Sequence, residues 1–168
     1  GDGSNGPNVL TTSGVVRRDL KSSFGSFSGS ATGVPLTLRM RATDVSDGGN
    51  PKAGLAIYAW HCDSQGRYSL YSNGVTDQNW LRGVQVTDAN GWVRFDTIWP
   101  GCYDGRWPHI HFEVYPSAAK ATSAANKLRT SQIAMPAAQS KAVYATSNYP
   151  SSAANLAKTS LSTDGVFR

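Results

Sequence analysis

Only three histidines, two cysteines and two methionines occur among 168 residues, and no apolar run approaches the ~20 residues of a membrane-spanning helix. A bilayer span is therefore not expected. Charged residues make up only 16% of the chain. Although the formal balance is +5, the densest basic pairs, Arg17-Arg18 and Arg39/Arg41, are not interleaved with aromatics. Nucleic-acid binding would need such clustering, so a solvated basic surface is the expectation. No internal repeat is visible, and no segment carries a clear apolar stripe at helical spacing. An initiator Met, a basic start followed by an apolar stretch and a cleavage-site pattern are all lacking at the N-terminus. The opening Gly1-Asp2-Gly3-Ser4-Asn5-Gly6-Pro7 and the Ala/Ser/Thr-rich texture read as a processed, secreted, extracellular protein.

The 39% hydrophobic content is enough for one core without staples, so residues 1–168 are read as a single domain. From Val34 to Val114 the chain alternates short strands with turns. Leu36, Leu38 and Met40 oppose Thr37, Arg39 and Arg41, the period of a half-buried strand. Leu55–Trp60, Gly83–Thr87, Trp92–Thr97 and Ile110–Tyr115 are further strand candidates. Asp47-Gly48-Gly49-Asn50-Pro51 predicts a hairpin or a crossover between sheets. Asp88-Ala89-Asn90-Gly91 predicts a hairpin joining Gly83–Thr87 to Trp92–Thr97. These spacings predict a mainly β fold, an antiparallel β-sandwich with long loops and little helix. Helical turns are expected only in the alanine-rich stretches Ser117–Leu128 and Ser151–Leu161.

The chemistry concentrates in Arg106-Trp107-Pro108-His109-Ile110-His111-Phe112. In a strand, alternate side chains share a face, so His109 and His111 project together while Ile110 and Phe112 face the other way. That geometry suits a two-histidine metal clamp, and it equally suits an ordinary strand with two hydrogen-bonded histidines. Tyr68 follows the Asp63–Arg67 turn and Tyr103 follows Pro100-Gly101; taken alone, each reads as a packing or rim residue. Together, two ionised phenols and two imidazoles form a hard, anionic set that favours Fe(III) over zinc. His61 reads as structural or surface. Cys62 and Cys102 are either two buried thiols or one bridge, which would close a loop of about 40 residues and contribute roughly 3–5 kcal/mol. Two other readings stay open: a carbohydrate-binding β-sandwich module with Trp80, Trp92, Trp99 and Trp107 as a platform, and a divalent-metal hydrolase using His109, His111 and a carboxylate such as Asp104 or Glu113.

In order and spacing, Trp60-His61-Cys62-Asp63-Ser64-Gln65-Gly66-Arg67-Tyr68, Leu81-Arg82-Gly83-Val84-Gln85-Val86-Thr87-Asp88, Pro100-Gly101-Cys102-Tyr103 and Arg106–Phe112 resemble the intradiol ring-cleavage dioxygenases, in particular small secreted-type members similar to catechol and protocatechuate dioxygenases. Weaker similarity extends through Gly33–Leu38, Thr130-Ser131-Gln132 and Thr163–Phe167. The resemblance implies a non-haem Fe(III) enzyme that opens catecholic aromatics, lignin-derived ones among the candidates, between the two hydroxylated carbons to cis,cis-muconate-type diacids. Its substrates would be a catechol and O2, with no organic cofactor. It implies Tyr68, Tyr103, His109 and His111 as metal ligands, with Tyr103 the phenolate that leaves when substrate binds. Arg106 and Gln132 match residues that steady charge on the bound ring. Trp107 is a bulky residue beside the arginine, which either crowds the substrate or points away from the metal. A disulfide between Cys62 and Cys102 would brace the site. Gly6-Pro7 is followed by Val9 and Leu10 where family members often carry aromatics, so these two are expected to form an aliphatic pocket wall, within a segment 1–33 packed near the site. The helical dimerisation region of the larger catechol enzymes has no counterpart, and a monomer or weak dimer is expected.

Overall fold

The computed structural model describes residues 8–168; Gly1–Pro7, including the Gly6-Pro7 step, lies outside the described residues. The strands are β1 (Pro35–Arg41), β2 (Thr43–Asp44), β3 (Asn50–Pro51), β4 (Ala56–Trp60), β5 (Arg82–Val86), β6 (Trp92–Ile98), β7 (His109–Tyr115) and β8 (Arg129–Ala134), followed by the short helices α1 (Ala137–Tyr144) and α2 (Ser152–Ala157). Among these strands all pairing is antiparallel, in a four-stranded sheet ordered β5-β4-β7-β8, a two-stranded sheet β1-β6 and the small ladder β2-β3. The chain is thus mainly β with little helix, as expected.

Strand alternation explains the layering. Ile57 and Ala59 of β4 and Ile110 of β7 join Val93 and Phe95 of β6 in one core, with Leu36, Leu38 and Met40 of β1 packed against it. The opposite face of the four-stranded sheet is also buried: Ala56, Tyr58, Trp60, Val84 and Tyr115 pack with Val9, Leu10 and Val15. The N-terminal segment creates that second interior by running along β5, where Arg17 N–H donates to the Val84 carbonyl (2.9 Å) and Val84 N–H to the Val15 carbonyl (2.8 Å). The same segment reaches the other sheet, with Leu20 N–H donating to Asp96 (2.9 Å).

One expectation about connections changes. The Asp88–Gly91 turn forms, with Gly91 N–H donating to Asp88 (2.9 Å) and Gly91 at φ 82°. However, β5 pairs with β4 and β6 with β1, so the turn passes between sheets rather than closing a hairpin. Asp47–Pro51 forms the hairpin that was one of its two expected readings, closing β2 onto β3 on the path from β1 to β4. The alanine-rich stretches give 3-10 turns at Lys120–Thr122 and Ala124–Asn126 and helix α2. β8 and α1 were not among the expected elements.

Candidate metal centre

Strand β7 delivers the two histidines as parity predicts. Ile110 is fully buried in the inter-sheet core, whereas His109 and His111 project from the other face. The loops β4–β5 and β6–β7 bring in the tyrosines, and these loops touch at two glycines. A Cβ at Gly101 would lie 2.7 Å from the Asp63 carbonyl and 3.0 Å from Gly66 N, and one at Gly66 (φ +79°) would lie 3.1 Å from Tyr103 Cβ. Only glycine at these crossings lets the backbones approach closely enough to aim both phenols at one point.

Four donor atoms converge there. Tyr68 Oη lies 2.9 Å from His111 Nε2, 3.2 Å from His109 Nε2 and 3.2 Å from Tyr103 Oη. Tyr103 Oη is 3.1 Å from His109 Nε2, and the two Nε2 atoms are 3.1 Å apart. Two ligands each about 2.1 Å from a shared ion and set at a right angle would stand about 3 Å apart, so this spacing fits a common cation. Among the described residues no group of three or more His, Cys, Asp or Glu could hold a metal, so a centre here depends on the phenols.

The protonation chemistry suits that use. Burial lowers His109 to about 4 and His111 to about 3, the latter aided by His109 and Arg106, so both rings are neutral near pH 7 and offer lone pairs. His109 Nδ1–H donates to the Trp107 carbonyl (2.6 Å), which leaves Nε2 facing the other donors. His111 stacks on Trp60 at 4.7 Å between ring centroids and 11° between planes. Burial raises both the Tyr68 and Tyr103 phenols above their ordinary value, so their ionisation calls for a cation among them.

Arg106 and Gln132 meet beside this set. Arg106 Nη2 donates to Gln132 Oε1 (2.5 Å), Nη1 lies 3.5 Å from His109 Nε2, and Gln132 is the cross-strand partner of His111. Sequence reasoning gave Asp164 no role, yet it anchors the arginine. Fully buried, Asp164 accepts Arg106 Nε–H (2.9 Å), Trp107 N–H (2.8 Å), Val166 N–H (2.8 Å) and Phe167 N–H (3.2 Å). Burial alone would raise its carboxyl, but these donors, Arg106 foremost, hold it well below the usual carboxylate range. A carboxylate 58 residues from its partner leaves no local signal in the sequence.

A cleft of about 290 Å³ opens onto the centre, lined by Trp60, Tyr68, Tyr71, Arg82, Tyr103, His111 and Thr130. Val9 and Leu10 do not line it. The 3-10 turn Val9–Thr11, capped by Asn8 Oδ1 accepting Leu10 N–H, tucks both into the core around Tyr58 and Trp60. The bridge between Cys62 and Cys102 is likewise absent, and both are free, buried thiols. Cys62 Sγ–H is directed at the Gly101 carbonyl and Cys102 Sγ–H at the Arg106 carbonyl, each at 3.4 Å. His61 bridges the sheets, with Nδ1–H on the Cys62 carbonyl (2.7 Å) and Nε2 on Thr97 Oγ1 (2.8 Å). Trp107 points away from the centre, its Nε1–H donating to Met135 (2.8 Å).

The competing readings lose their geometry. Trp99 and Trp107 are buried, Trp80 packs against Ala31, Leu81 and Ile98, and Trp92 lies under Arg39 and Arg41, so the four form no shared exposed platform. Glu113 is buried against Tyr115 Oη (2.6 Å) and Lys127, and Asp104 pairs with Lys158 at the surface, so neither completes a hydrolase triad.

Comparison with known proteins agrees with this geometry. The family model described as Dioxygenase matches residues 6–130. Chlorocatechol 1,2-dioxygenase of Rhodococcus opacus is 36% identical over 84 residues, 44% of this chain and 33% of that protein. The protocatechuate 3,4-dioxygenase beta chain of Burkholderia cepacia is 34% identical over 96 residues, 49% of this chain and 41% of that one. The matched stretches thus span less than half the length of these relatives. An intradiol ring-cleavage dioxygenase from Tetranychus urticae superposes with a TM-score of 0.71 at 25% identity, covering 91% of this chain and 72% of that chain. With three quarters of its length matched and its residue clusters meeting at one cleft, the chain belongs to the intradiol ring-cleavage dioxygenase family.

Proposed function

We propose that this protein is a non-haem Fe(III)-dependent dioxygenase that cleaves catecholic rings between the two hydroxylated carbons, giving cis,cis-muconate-type diacids with both atoms of O2 incorporated. The observation that carries the reading is the convergence of two phenol oxygens and two imidazole nitrogens at 2.9–3.2 Å, in a chain of this family. Fe(III), when bound, supplies the Lewis acidity that ionises the catechol and the one-electron character that lets its ring react with O2.

The residues divide the remaining work. His109 and His111 donate as neutral ligands, and the Trp107 carbonyl keeps the His109 lone pair aimed at the centre. Tyr68 would hold the ion together with the histidines. Tyr103, from the glycine-stitched loop, would complete the donor set, and its Oη is placed to take a proton from a catechol hydroxyl. Arg106, locked by Asp164 and Gln132, places a fixed guanidinium where negative charge develops on the ring. Trp60 and Tyr71 supply aromatic walls that exclude water from the reacting carbons.

The experiment is metal analysis with spectroscopy and oxygen uptake. Fe(III)-loaded protein is expected to show a red-brown to purple tyrosinate colour that changes on adding catechol, and to consume one O2 per ring opened. A panel of catechol, hydroxyquinol and protocatechuate ranks the substrates. Active protein containing stoichiometric zinc and no iron would refute the reading.

A further inference from the structure

Arg82 is a buried cation that the reaction as described leaves unused. Its residue is 3% exposed, and among the described residues no carboxylate lies within ion-pair distance of it. Its partners are neutral: Nε–H donates to Ser69 Oγ (3.0 Å), Nη2–H to the Ser69 carbonyl (2.9 Å) and Nη1–H to Tyr58 Oη (2.9 Å). Burying a guanidinium without a counter-ion is costly, and a Met or Leu would fill the same volume. A role confined to packing does not account for it.

The location of the two Ser69 bonds does. Ser69 follows Tyr68 directly, and Ser69 Oγ–H also donates to the Trp80 carbonyl (2.7 Å). Next comes Leu70 in the left-handed region at φ 71°, a strained conformation for a branched residue, and then Tyr71, whose ring lies 5.5 Å under the Arg82 guanidinium. Arg82 therefore grips the Tyr68 loop on both sides of its strained residue. Its own anchorage is rigid: Arg82, Trp60, His111 and Gln132 are successive cross-strand partners in one row across β5, β4, β7 and β8. The row ties the loop bearing Tyr68 to the strand bearing His111.

We propose that Arg82 is a positioning residue for Tyr68, its forked guanidinium holding Ser69 at two points and so fixing the direction of the Tyr68 phenol toward His109 and His111. The inference rests on the ferric reading of the site. A lysine would keep the charge and lose the fork.

The test uses the full chain loaded with Fe(III), with a Tyr103→Phe background so that the visible tyrosinate band reports Tyr68 alone. Wild-type protein without any tyrosinate band would overturn the ferric reading, and this inference with it. With the band present, Arg82→Lys is expected to shift it and to weaken Fe(III) binding by about 10- to 100-fold, with near-UV circular dichroism unchanged. Ser69→Ala, which removes one of the two grips, is expected to shift the band less. Tyr58→Phe, which spares both grips, is expected to leave it in place. Folded Arg82→Lys and Ser69→Ala proteins with the unaltered band and affinity would overturn the inference. Should Arg82→Lys not fold, the comparison of Ser69→Ala with Tyr58→Phe decides, and equal shifts in the two count against it.

Discussion

Replacing Asp164 with asparagine removes one charge and almost no volume, which isolates the electrostatic anchor of Arg106. The native carboxylate accepts four N–H donors, two on each oxygen. An asparagine turns an N–H group toward two of them, and the buried ion pair loses its anion. Removing one partner of a buried pair costs about 3–5 kcal/mol, and the lower figure applies because the Arg106 side chain keeps 20% of its exposure. For a domain of this size about 3 kcal/mol corresponds to a fall of roughly 6–12 °C in Tm. Arg106 also loses its fixed position, and misplacement on the order of 1 Å reduces kcat/KM about 100-fold.

The pH dependence follows from the lowered carboxyl. A group whose folded pKa lies below its unfolded value of about 3.9 stabilises the fold above that value, and the contribution is lost as pH falls through the folded pKa. The gap in stability between wild type and Asp164→Asn is therefore expected to be constant from pH 7 to about 5 and to shrink below about pH 4. Urea denaturation at a series of pH values measures it. A Tm within about 2 °C of wild type, or a gap that persists undiminished to pH 3, would refute the anchor.

Tyr68→Phe is expected to weaken and shift the visible band, leaving the contribution of Tyr103, His111→Ala to bind iron more weakly, and both to lose ring opening, measured by absorbance, metal analysis and oxygen uptake; full activity in either would show that the donor set is misassigned. Gly101→Ala drives a methyl into three backbone atoms within 3.1 Å, and such overpacking costs about 1–3 kcal/mol, read as a lower urea midpoint with weaker Fe(III) binding. Ile110→Ala removes a fully buried side chain behind the two imidazoles and is expected to cost about 2–5 kcal/mol in denaturant titration. Thiol titration is expected to find Cys62 and Cys102 unreactive in the native protein and both reactive after unfolding, whereas a bridge would leave neither reactive without a reductant.

Strands β1, β4, β5, β6 and β7 were legible because each alternates or is bounded by turn residues. β8 was not: Arg129, Thr130 and Ser131 are exposed, so no alternation marks this edge strand. Turn chemistry at Asp88–Gly91 announced a reversal but not the partner strand, because sheet membership is decided by packing many residues away. That His109 and His111 share a face was legible from parity, which left open whether they serve a metal or an ordinary strand. Tyr68 and Tyr103 lie on loops, where no period aims a side chain, so donor chemistry could nominate them but only the family resemblance implied that they meet the histidines. Val9 and Leu10 were misplaced because aliphatic side chains suit a pocket wall and a core equally, and the cap at Asn8 turns them inward. Asp164 and Arg82 act through contacts 58 and 13 residues apart in sequence.

Because β7 alternates between a core face and a donor face, slippage of its pairing by a single residue would bury both imidazoles among aliphatic side chains and present Ile110 and Phe112 to the cleft. No intermediate arrangement exists between these two. On the proposed ferric reading, loading of the metal would serve as a parity check on assembly of the sheet: chains that mature with β7 in register would acquire the ion's binding energy, and misregistered chains would forgo it.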